Sequence, residues 1–233
     1  MDTPRTLRRG FLRGSGLLLL GACGSDERAG KKDGSRSPEA ELSPTEDLMR
    51  EHGLLNRILL VYEEFIRRLD MGAELDPQKV LGAAGILRKF VEDYHERLEE
   101  DYLFPRFLKA KRLVELVVVL RAQHEAGRRL TAKIQDLAQP AAWGRPETKK
   151  KLSSELALFV RMYRPHEARE DTVLFPALRD LASAKELEAL GEDFEKKEHA
   201  LFGQEGFEGM VEKTAEIEKS VGIYNLAQFT PPT

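Results

Sequence analysis

Two stretches of the sequence, DYHERLEEDYLFPRF at residues 93–107 and RPHEAREDTVLFPAL at residues 164–178, follow the same pattern. In each, a histidine is followed by a glutamate four residues later and by Phe-Pro five residues beyond the glutamate. The corresponding positions are 71 residues apart. A repeat at a fixed offset indicates an internal duplication, so we expect the two stretches to occupy equivalent places in the fold. Proline lacks a backbone donor, so each Phe-Pro should kink or end a helix.

The sequence around this repeat predicts long helices. Apolar residues make up 41% and charged residues 33% of the 233 residues, and good helix formers dominate the stretches between glycines and prolines. Ser43-Pro44-Thr45-Glu46 combines a capping box with proline at the first helical position. We predict four long helices, at about 44–70, 77–109, 112–138 and 146 to beyond Glu170, and two shorter ones within 183–220. This order favours an all-α fold, an up-down-up-down four-helix bundle with two additional short C-terminal helices.

Four of the five histidines lie on apolar helical stripes, one on each predicted long helix. His52 falls between Leu48 and Leu55 in steps of four and three residues, and the other three lie in similar stripes. The two histidines of each predicted helical hairpin are equally distant from its turn, so antiparallel helices bring them to the same height. The sequence therefore places two histidine pairs at matching depth, namely His52 with His95 and His124 with His166.

Two glutamates share these stripes. Positions four apart on a helix share a face, so Glu99 lies beside His95 and Glu170 beside His166. Buried carboxylates are unfavourable unless they are paired or metal-bound, and no lysine or arginine falls on the stripes near these positions. Neutral imidazole with carboxylate suits iron, manganese or zinc, so a metal site is the favoured interpretation. Four core histidines satisfied by hydrogen bonds are the alternative.

The four histidine segments carry a resemblance to a known family. REHGLL, DYHERLEEDYLFP, RAQHEA and RPHEAREDTVLFP resemble the four helices of hemerythrin-like, or HHE cation-binding, domains, over about residues 44–180. The resemblance implies a non-heme di-iron centre with bridging carboxylates, with manganese or zinc as other metals that such a site accepts. It implies terminal ligands at His52, His95, His124 and His166 and bridging ligands at Glu99 and Glu170.

The resemblance is to one branch of that family. The oxygen carriers have a fifth histidine four residues after the third, where this sequence has Arg128, and their second bridging carboxylate is a more distant aspartate rather than Glu170. Both features are similar to the four-histidine bacterial branch, which includes iron-centre repair and nitric-oxide-handling proteins. They argue against reversible oxygen carriage. A ferritin-like di-iron site is a weaker alternative, because only Glu92 to His95 matches its Glu-x-x-His spacing and Glu92 is expected off the apolar stripe.

Three further residues each have two interpretations. His199, in EKKEHALFG, is expected on a solvated helix face, with an additional ligand or a partner of a ligand as the alternative. Tyr94 and Tyr163 are expected to pack in the core, with a hydrogen bond that orients a ligand as the alternative.

The first 22 residues resemble an export signal. Arg8 and Arg9 lie in RRGFLR, which is similar to a twin-arginine motif, and a short apolar run then leads to LGAC, which resembles a bacterial lipobox. The resemblance implies that Cys23, the only cysteine in the sequence, is acylated after cleavage; a free thiol in an unprocessed leader is the alternative. The Gly-, Ser- and charge-rich residues that follow predict a flexible tether.

The predicted organisation is a signal peptide at 1–22, a lipidated cysteine and tether at 23–42, a hemerythrin-like bundle at 43–180 and a C-terminal helical extension and tail at 181–233. We expect an exported, membrane-anchored lipoprotein of the bacterial cell envelope that binds, senses or reduces O2, NO or peroxide. The alternatives are a non-catalytic iron or redox sensor that signals through its C-terminal helices, and a metal-free structural lipoprotein. The net charge of −3 and the lack of a basic cluster argue against a nucleic-acid partner.

Overall fold

The computed structural model describes residues 42–231. The predicted export signal with Arg8 and Arg9, the lipid-attachment residue Cys23 and the tether up to residue 41 lie outside the described residues, so these expectations stay predictions. Within residues 42–231 the chain is helical and contains no strand, which confirms the all-α fold class. In the same range, none of the helices combines the length and the apolar character that crossing a lipid bilayer requires.

Helix α1 (Pro44–Asp70) begins and ends where the sequence predicts. The backbone N–H of Ser43 donates to the Glu46 carboxylate at 2.9 Å, and the Ser43 hydroxyl accepts from the backbone N–H of Glu46 at 3.3 Å, which completes the capping box. Beyond the helix end, Gly72 has a φ of 65°, a left-handed conformation that glycine adopts without strain.

The second long segment, α2 (residues 77–110), is helical throughout but not uniformly α-helical. Its α-helical parts are Pro77–Ile86, Glu96–Leu98 and Phe104–Ala110, and between them Leu87–His95 and Glu99–Leu103 are π-helical. A π-helical turn closes on the fifth residue instead of the fourth and is wider than an α-helical turn. The side chains of α2 therefore depart from the 3.6-residue period on which the sequence prediction relied.

Helices α3 (Val114–Leu137) and α4 (residues 146–178) form the second half of the internal repeat. Helix α4 consists of α-helical Pro146–Arg169, π-helical Glu170–Leu174 and α-helical Phe175–Leu178. Helix α3 begins two residues later than predicted, because Lys111 and Leu113 adopt left-handed backbone conformations in the preceding turn. Neither glycine nor proline marks this turn in the sequence. The short helix Pro140–Trp143 lies in the connection before α4.

Contacts between neighbouring long helices run in opposite order along the two chains, as in antiparallel neighbours. Between α1 and α4 they are Asp70 with Ser153, Glu63 with Arg164, and His52 with Asp171. Between α3 and α4 they are Lys133 with Glu155 and His124 with His166. Buried aromatic rings fill the space between these helices, including Tyr62, Phe65, Phe159 and Tyr163.

Two further helices, α5 (Ala184–Phe202) and α6 (Gly206–Ser220), follow as the sequence predicts. Both pack against the first half of the repeat. Arg57 on α1 pairs with Glu218 on α6, with the guanidinium Nε donating at 2.8 Å. The Phe90 ring on α2 lies 5.5 Å from the Phe202 ring and 5.9 Å from the Phe207 ring. The extension therefore covers one outer face of the α1–α2 hairpin.

Candidate metal centre

The four histidines singled out by the sequence converge in the interior, each from a different long helix. His52 Nε2 lies 3.0 Å from His95 Nε2, and His124 Nε2 lies 3.2 Å from His166 Nε2. All four residues are buried. The structure thus brings together the two pairs that the spacing predicts, one from the α1–α2 hairpin and one from the α3–α4 hairpin.

Each imidazole is held from its other side by a hydrogen bond at Nδ1. The partners are Asp171 for His52 at 2.7 Å, Glu51 for His95 at 2.6 Å, Glu100 for His124 at 3.1 Å and Gln123 for His166 at 2.9 Å. Such a bond fixes both the ring orientation and the tautomer. In the neutral rings, an N–H at Nδ1 leaves the Nε2 lone pair directed into the centre.

These four hydrogen-bond partners follow the internal repeat, although none of them is among the six predicted ligands. Glu51 and Gln123 each precede a site histidine by one residue and hold the histidine of the next helix. Glu100 and Asp171 each follow a site glutamate by one residue. The 71- or 72-residue offset relates Glu51 to Gln123 and Glu100 to Asp171, and it is the signal that could have found them.

Glu99 and Glu170 lie between the two histidine pairs, and both are fully buried. Glu170 Oε2 is 3.4 Å from His52 Nε2, and its Oε1 is 3.1 Å from His166 Nε2. Glu99 Oε2 is 3.4 Å from His124 Nε2 and 3.9 Å from His95 Nε2. Each carboxylate therefore faces histidines from both hairpins. All six predicted ligands thus meet in a single volume.

This donor set fits metal cations. The four carboxylate oxygens of Glu99 and Glu170 accept no hydrogen bond from residues 42–231, an unfavourable state for buried anionic oxygens. Two nitrogen ligands at right angles on one metal, with bonds of about 2.1 Å, lie about 3.0 Å apart. The Nε2 separation in both histidine pairs agrees with that value. Imidazole combined with carboxylate suits iron, manganese and zinc.

The two facing carboxyl groups differ in their affinity for protons. Burial and repulsion from Glu170 raise the pKa of Glu99 well above its ordinary value. Burial would also raise the pKa of Glu170, but the imidazoles of His166 and His52 outweigh it and hold that pKa well below its ordinary value. Without a metal, Glu99 therefore binds a proton more tightly than an ordinary glutamate, and a bound cation would compete with that proton.

The pKa values of the histidines also shift in opposite directions. Burial would lower the pKa of His52, but its hydrogen bond to Asp171 and the nearby Glu170 carboxylate raise it to about 10. Burial and the neighbouring His52 ring lower the pKa of His95 well below its ordinary value. Burial also lowers the pKa of His124. Of these three rings, His52 is therefore the one that is charged near neutral pH in the absence of metal.

Arg128 brings a cation close to the centre, contrary to the expectation drawn from the helical stripes. Its guanidinium lies 2.8 Å from both Glu96 and Glu100. Burial would raise the pKa of Glu100, but the hydrogen bonds to His124 and Arg128 lower it to about 2. Arg128 therefore supports His124 indirectly, by keeping the carboxylate at its Nδ1 ionised.

Tyr163 is buried, as expected for core packing, and it also donates a hydrogen bond near the site. Its hydroxyl donates to Glu96 at 2.6 Å, and Glu96 in turn pairs with Arg128. The tyrosine reaches this position because residue 127 is glycine: a Cβ there would lie only 1.9 Å from the Tyr163 hydroxyl oxygen. A small residue on α3 and a tyrosine on α4 thus jointly support the polar network beneath the histidines.

The expectation that Glu92 lies off the apolar stripe is wrong. Glu92 is fully buried and forms an ion pair with Arg88. The π-helical segment Leu87–His95 changes the direction of side chains relative to a regular α-helix, which the period of 3.6 residues does not capture.

The Phe-Pro repeats shape the turns that carry the two site glutamates. The N–H of Phe104 bonds to the carbonyl of Glu99, and the N–H of Phe175 bonds to the carbonyl of Glu170, each five residues back. A proline ring clashes with the carbonyl four residues before it, and the wider π-helical turn accommodates that ring. The helices therefore continue through both prolines with a change of turn, where the sequence predicted a kink or an end.

The C-terminal extension approaches the centre next to Glu51. Glu198 on α5 lies in a cluster with Asp47 and Glu51, with oxygen atoms within 4.8 Å of one another, and Glu51 also holds His95. His199 is exposed, as expected for a solvated face. Tyr94 is buried, and its ring lies 5.5 Å from the Phe202 ring in an edge-on contact, as expected for core packing.

Comparison with known proteins identifies relatives of this arrangement. Residues 43–178 match the family model described as Hemerythrin HHE cation binding domain. Over 220 residues the chain is 47% identical to uncharacterized proteins of Mycobacterium bovis and Mycobacterium tuberculosis, an alignment that covers 93% of this chain and 86% of each relative. No solved structure gives a significant match.

Proposed function

This chain belongs to the hemerythrin HHE cation-binding domain family, whose members bind metal ions, typically iron, and we propose that it is a non-heme di-iron protein that binds, senses or reduces O2, NO or peroxide. The observation that carries the proposal is the arrangement of donors in the interior. Two Nε2 pairs, 3.0 and 3.2 Å apart, face two buried carboxylates whose oxygens accept no hydrogen bond from the described residues.

In the proposed site, His52 and His95 would hold one iron and His124 and His166 would hold the other. Glu99 and Glu170 would serve as ligands to both, because each carboxylate faces histidines from both hairpins. The remaining acidic and amide side chains keep the rings in place through Nδ1. When bound, the irons would supply open coordination positions and electrons for the small ligand.

We propose the up-down-up-down four-helix bundle of the four-histidine branch as the scaffold. The opposite order of the contacts between α1 and α4, and between α3 and α4, supports this topology. Arg128 supports the branch, because an arginine paired with Glu96 and Glu100 occupies the position of a fifth histidine ligand.

A surface cavity offers small ligands a route to the site. It has a volume of about 340 Å³ and lies between α3 and α4, with Val119, Gln123, Pro165 and His166 among its lining residues. The cavity ends at the same histidine that Gln123 holds through Nδ1. A diatomic gas or peroxide is small enough to enter such a space.

The test is spectroscopic. Iron-loaded, reduced protein is mixed with nitric oxide, dioxygen or hydrogen peroxide under anaerobic control, and absorption and Mössbauer spectra are recorded. We expect at least one ligand to change the iron spectra. Val119→Trp should narrow the cavity and slow that change, whereas Val118→Trp, at a neighbouring position that is 59% exposed and does not line the cavity, should not. Spectra that none of the three ligands alters would contradict the proposal.

A second candidate function, an iron or redox sensor, is favoured by the contact between the extension and the site. Glu198 on α5 lies close to Glu51, and Glu51 holds His95. A movement of His95 on metal binding or oxidation can therefore reach the C-terminal helices through these two contacts. The sensor predicts that metal loading or oxidation changes hydrogen exchange in residues 183–231. Identical exchange in the metal-free, reduced and oxidised forms would exclude it.

We further propose export to the cell envelope and a lipid anchor at Cys23. The support is the order of Arg8-Arg9, a short apolar run and LGAC in the sequence. In a bacterial host fed a labelled fatty acid, the protein should carry the label and sediment with membranes, and Cys23→Ser should abolish both. Replacing both Arg8 and Arg9 with lysine should block export, so that the precursor stays in the cytoplasm. Label that persists without Cys23 would refute the anchor.

A further inference from the structure

The outer face of the α3–α4 hairpin carries an open groove that the metal chemistry does not use. The groove has a volume of about 440 Å³, and its apolar lining residues are Ala126, Leu130, Leu158, Met162 and Pro165. Leu158 is 54% exposed, an unusual state for a leucine in the middle of a long helix. Three cationic side chains, Arg129, Lys133 and Arg161, line the same groove, and no carboxylate does.

The internal repeat supplies a direct comparison for this groove. Residues of α3 correspond to residues of α1 that lie 72 positions earlier, and residues of α4 correspond to residues of α2 that lie 71 positions earlier. The groove therefore corresponds to the outer face of the α1–α2 hairpin. There the C-terminal helices α5 and α6 are already packed. Leu158 corresponds to Leu87, which is fully buried, and Leu130 corresponds to Ile58, which is also fully buried. The same repeat position is thus covered by helices in one half and open in the other.

The charge pattern indicates what fits the open half. In the covered half, Arg57 pairs with Glu218 of α6 and Arg50 pairs with Glu208 of the same helix. Arg129 is the repeat counterpart of Arg57, and within residues 42–231 neither it nor Arg161 forms an ion pair, although their neighbours Lys133 and Arg164 do. An occupant that matches this groove is therefore helical, apolar on one side and acidic along its edges.

We propose that the α3–α4 groove is the docking site for an acidic amphipathic helix of a partner protein. The partner helix packs its apolar side on Leu130, Leu158 and Met162 and directs carboxylates to Arg129 and Arg161. Charge complementarity of this kind selects a partner and speeds its association. Because Gln123 and Pro165 line both this groove and the cavity that ends at His166, a docked partner lies next to the proposed ligand route.

The experiment uses two designed helical peptides with the same leucine stripe, one flanked by glutamates and the other by lysines, as fluorescent probes of the purified protein. Anisotropy gives the affinity, and hydrogen exchange locates the bound peptide. We expect the acidic peptide to bind, to protect residues 126–133 and 158–165, and to bind at least about tenfold more weakly to the variant Arg129→Glu with Arg161→Glu. Lys185→Glu, an exposed charge reversal on α5, is the matched control and should not change the affinity.

Several results would overturn the proposal. Equal affinity for the two peptides, no binding of the acidic peptide, or protection elsewhere on the molecule would each exclude a basic docking groove. A dimer in which residues 126–133 and 158–165 are protected would assign the groove to a second copy of the chain. Groove-dependent sedimentation with anionic vesicles, without peptide binding, would assign it to a membrane surface. Protection of the groove that is lost when residues 24–41 are deleted would assign it to this chain's own N-terminal segment.

Discussion

At the scale of single residues, the centre depends as much on the atoms that hold the histidines as on the histidines themselves. Each imidazole has one nitrogen committed to a fixed partner on another helix, and this arrangement turns the other nitrogen inward. Three of the four partners are carboxylates, which increase the basicity of the ring they hold. The second layer of side chains therefore sets both the direction and the strength of the four nitrogen donors.

Removing one of these partners should weaken metal binding without removing a ligand. Asp171→Ala takes away the acceptor at His52 Nδ1, and loss of such a partner costs about 10- to 100-fold in metal affinity. Competition with a fluorescent chelator measures that affinity. Asp101→Ala, an exposed aspartate on α2 whose nearest cation is Lys197 at 3.5 Å, is the control and should bind metal as the unaltered protein does. Equal affinities for both variants would refute a role for Asp171.

The contact between Gly127 and Tyr163 allows a test that is independent of metal. Gly127→Ala forces the new Cβ against the Tyr163 hydroxyl, so the ring must move and its bond to Glu96 is lost. Overpacking of this kind costs about 1–3 kcal/mol of unfolding free energy. Gly53→Ala is the matched control: a Cβ there meets nothing within 4 Å, and alanine should stabilise α1 by up to about 1 kcal/mol. Urea denaturation of the metal-free protein should show a lower free energy of unfolding for Gly127→Ala and a higher one for Gly53→Ala.

The raised pKa values of His52 and Glu99 predict proton release on metal binding. Near neutral pH the metal-free site holds an extra proton on His52, whose pKa is raised to about 10, and Glu99, whose pKa is raised well above its ordinary value, binds a proton more tightly than an ordinary glutamate. A metal ion displaces these protons, so at least one proton should leave per loaded centre and the affinity should rise with pH. Calorimetry in buffers of different ionisation enthalpy counts these protons. An affinity that is constant between about pH 6 and 8 would contradict these shifts.

At the scale of elements, the π-helical turns explain why the Phe-Pro pairs accompany the site glutamates. In both halves the widened turn begins at the glutamate and ends at the phenylalanine before the proline. The sequence predicted the long helices α1, α2 and α4 well, because capping residues and apolar periodicity are local signals. It did not predict the π-helical turns, since both helix types use the same residues and differ only in which carbonyl accepts each N–H.

The C-terminal helices should unfold together with the first half of the repeat. Phe194 on α5 is 1% exposed and its ring lies 5.6 Å from the Tyr102 ring on α2, so Phe194→Ala should cost about 3–5 kcal/mol. Phe229→Ala, at a position that is 52% exposed in the final 3-10 turn, should change stability by no more than about 0.5 kcal/mol. Denaturant unfolding of the two variants measures both changes in the free energy of unfolding. A small loss for Phe194→Ala would mean that α5 is only loosely attached.

At the scale of the whole molecule, the two hairpins meet at the six converging side chains. Helices α5 and α6 cover only the α1–α2 hairpin. The convergence of the six predicted ligands could be predicted from the sequence because they repeat at offsets of 71 or 72 residues and lie on apolar stripes. The buried network of Arg128, Glu96 and Tyr163 could not, because it joins three helices and depends on a contact with Gly127 that no spacing rule encodes. The unequal covering of the two halves likewise depends on tertiary packing alone.

The central claim, that six side chains hold two metal ions, is tested most directly by counting iron in protein loaded anaerobically and passed through a desalting column. We expect about two iron atoms per chain, about two also in His199→Ala, whose histidine is exposed on α5, and clearly less in Glu99→Gln and in His124→Ala. Less than about 0.5 iron per chain in the unaltered protein, or an unchanged iron content in Glu99→Gln and His124→Ala, would contradict it.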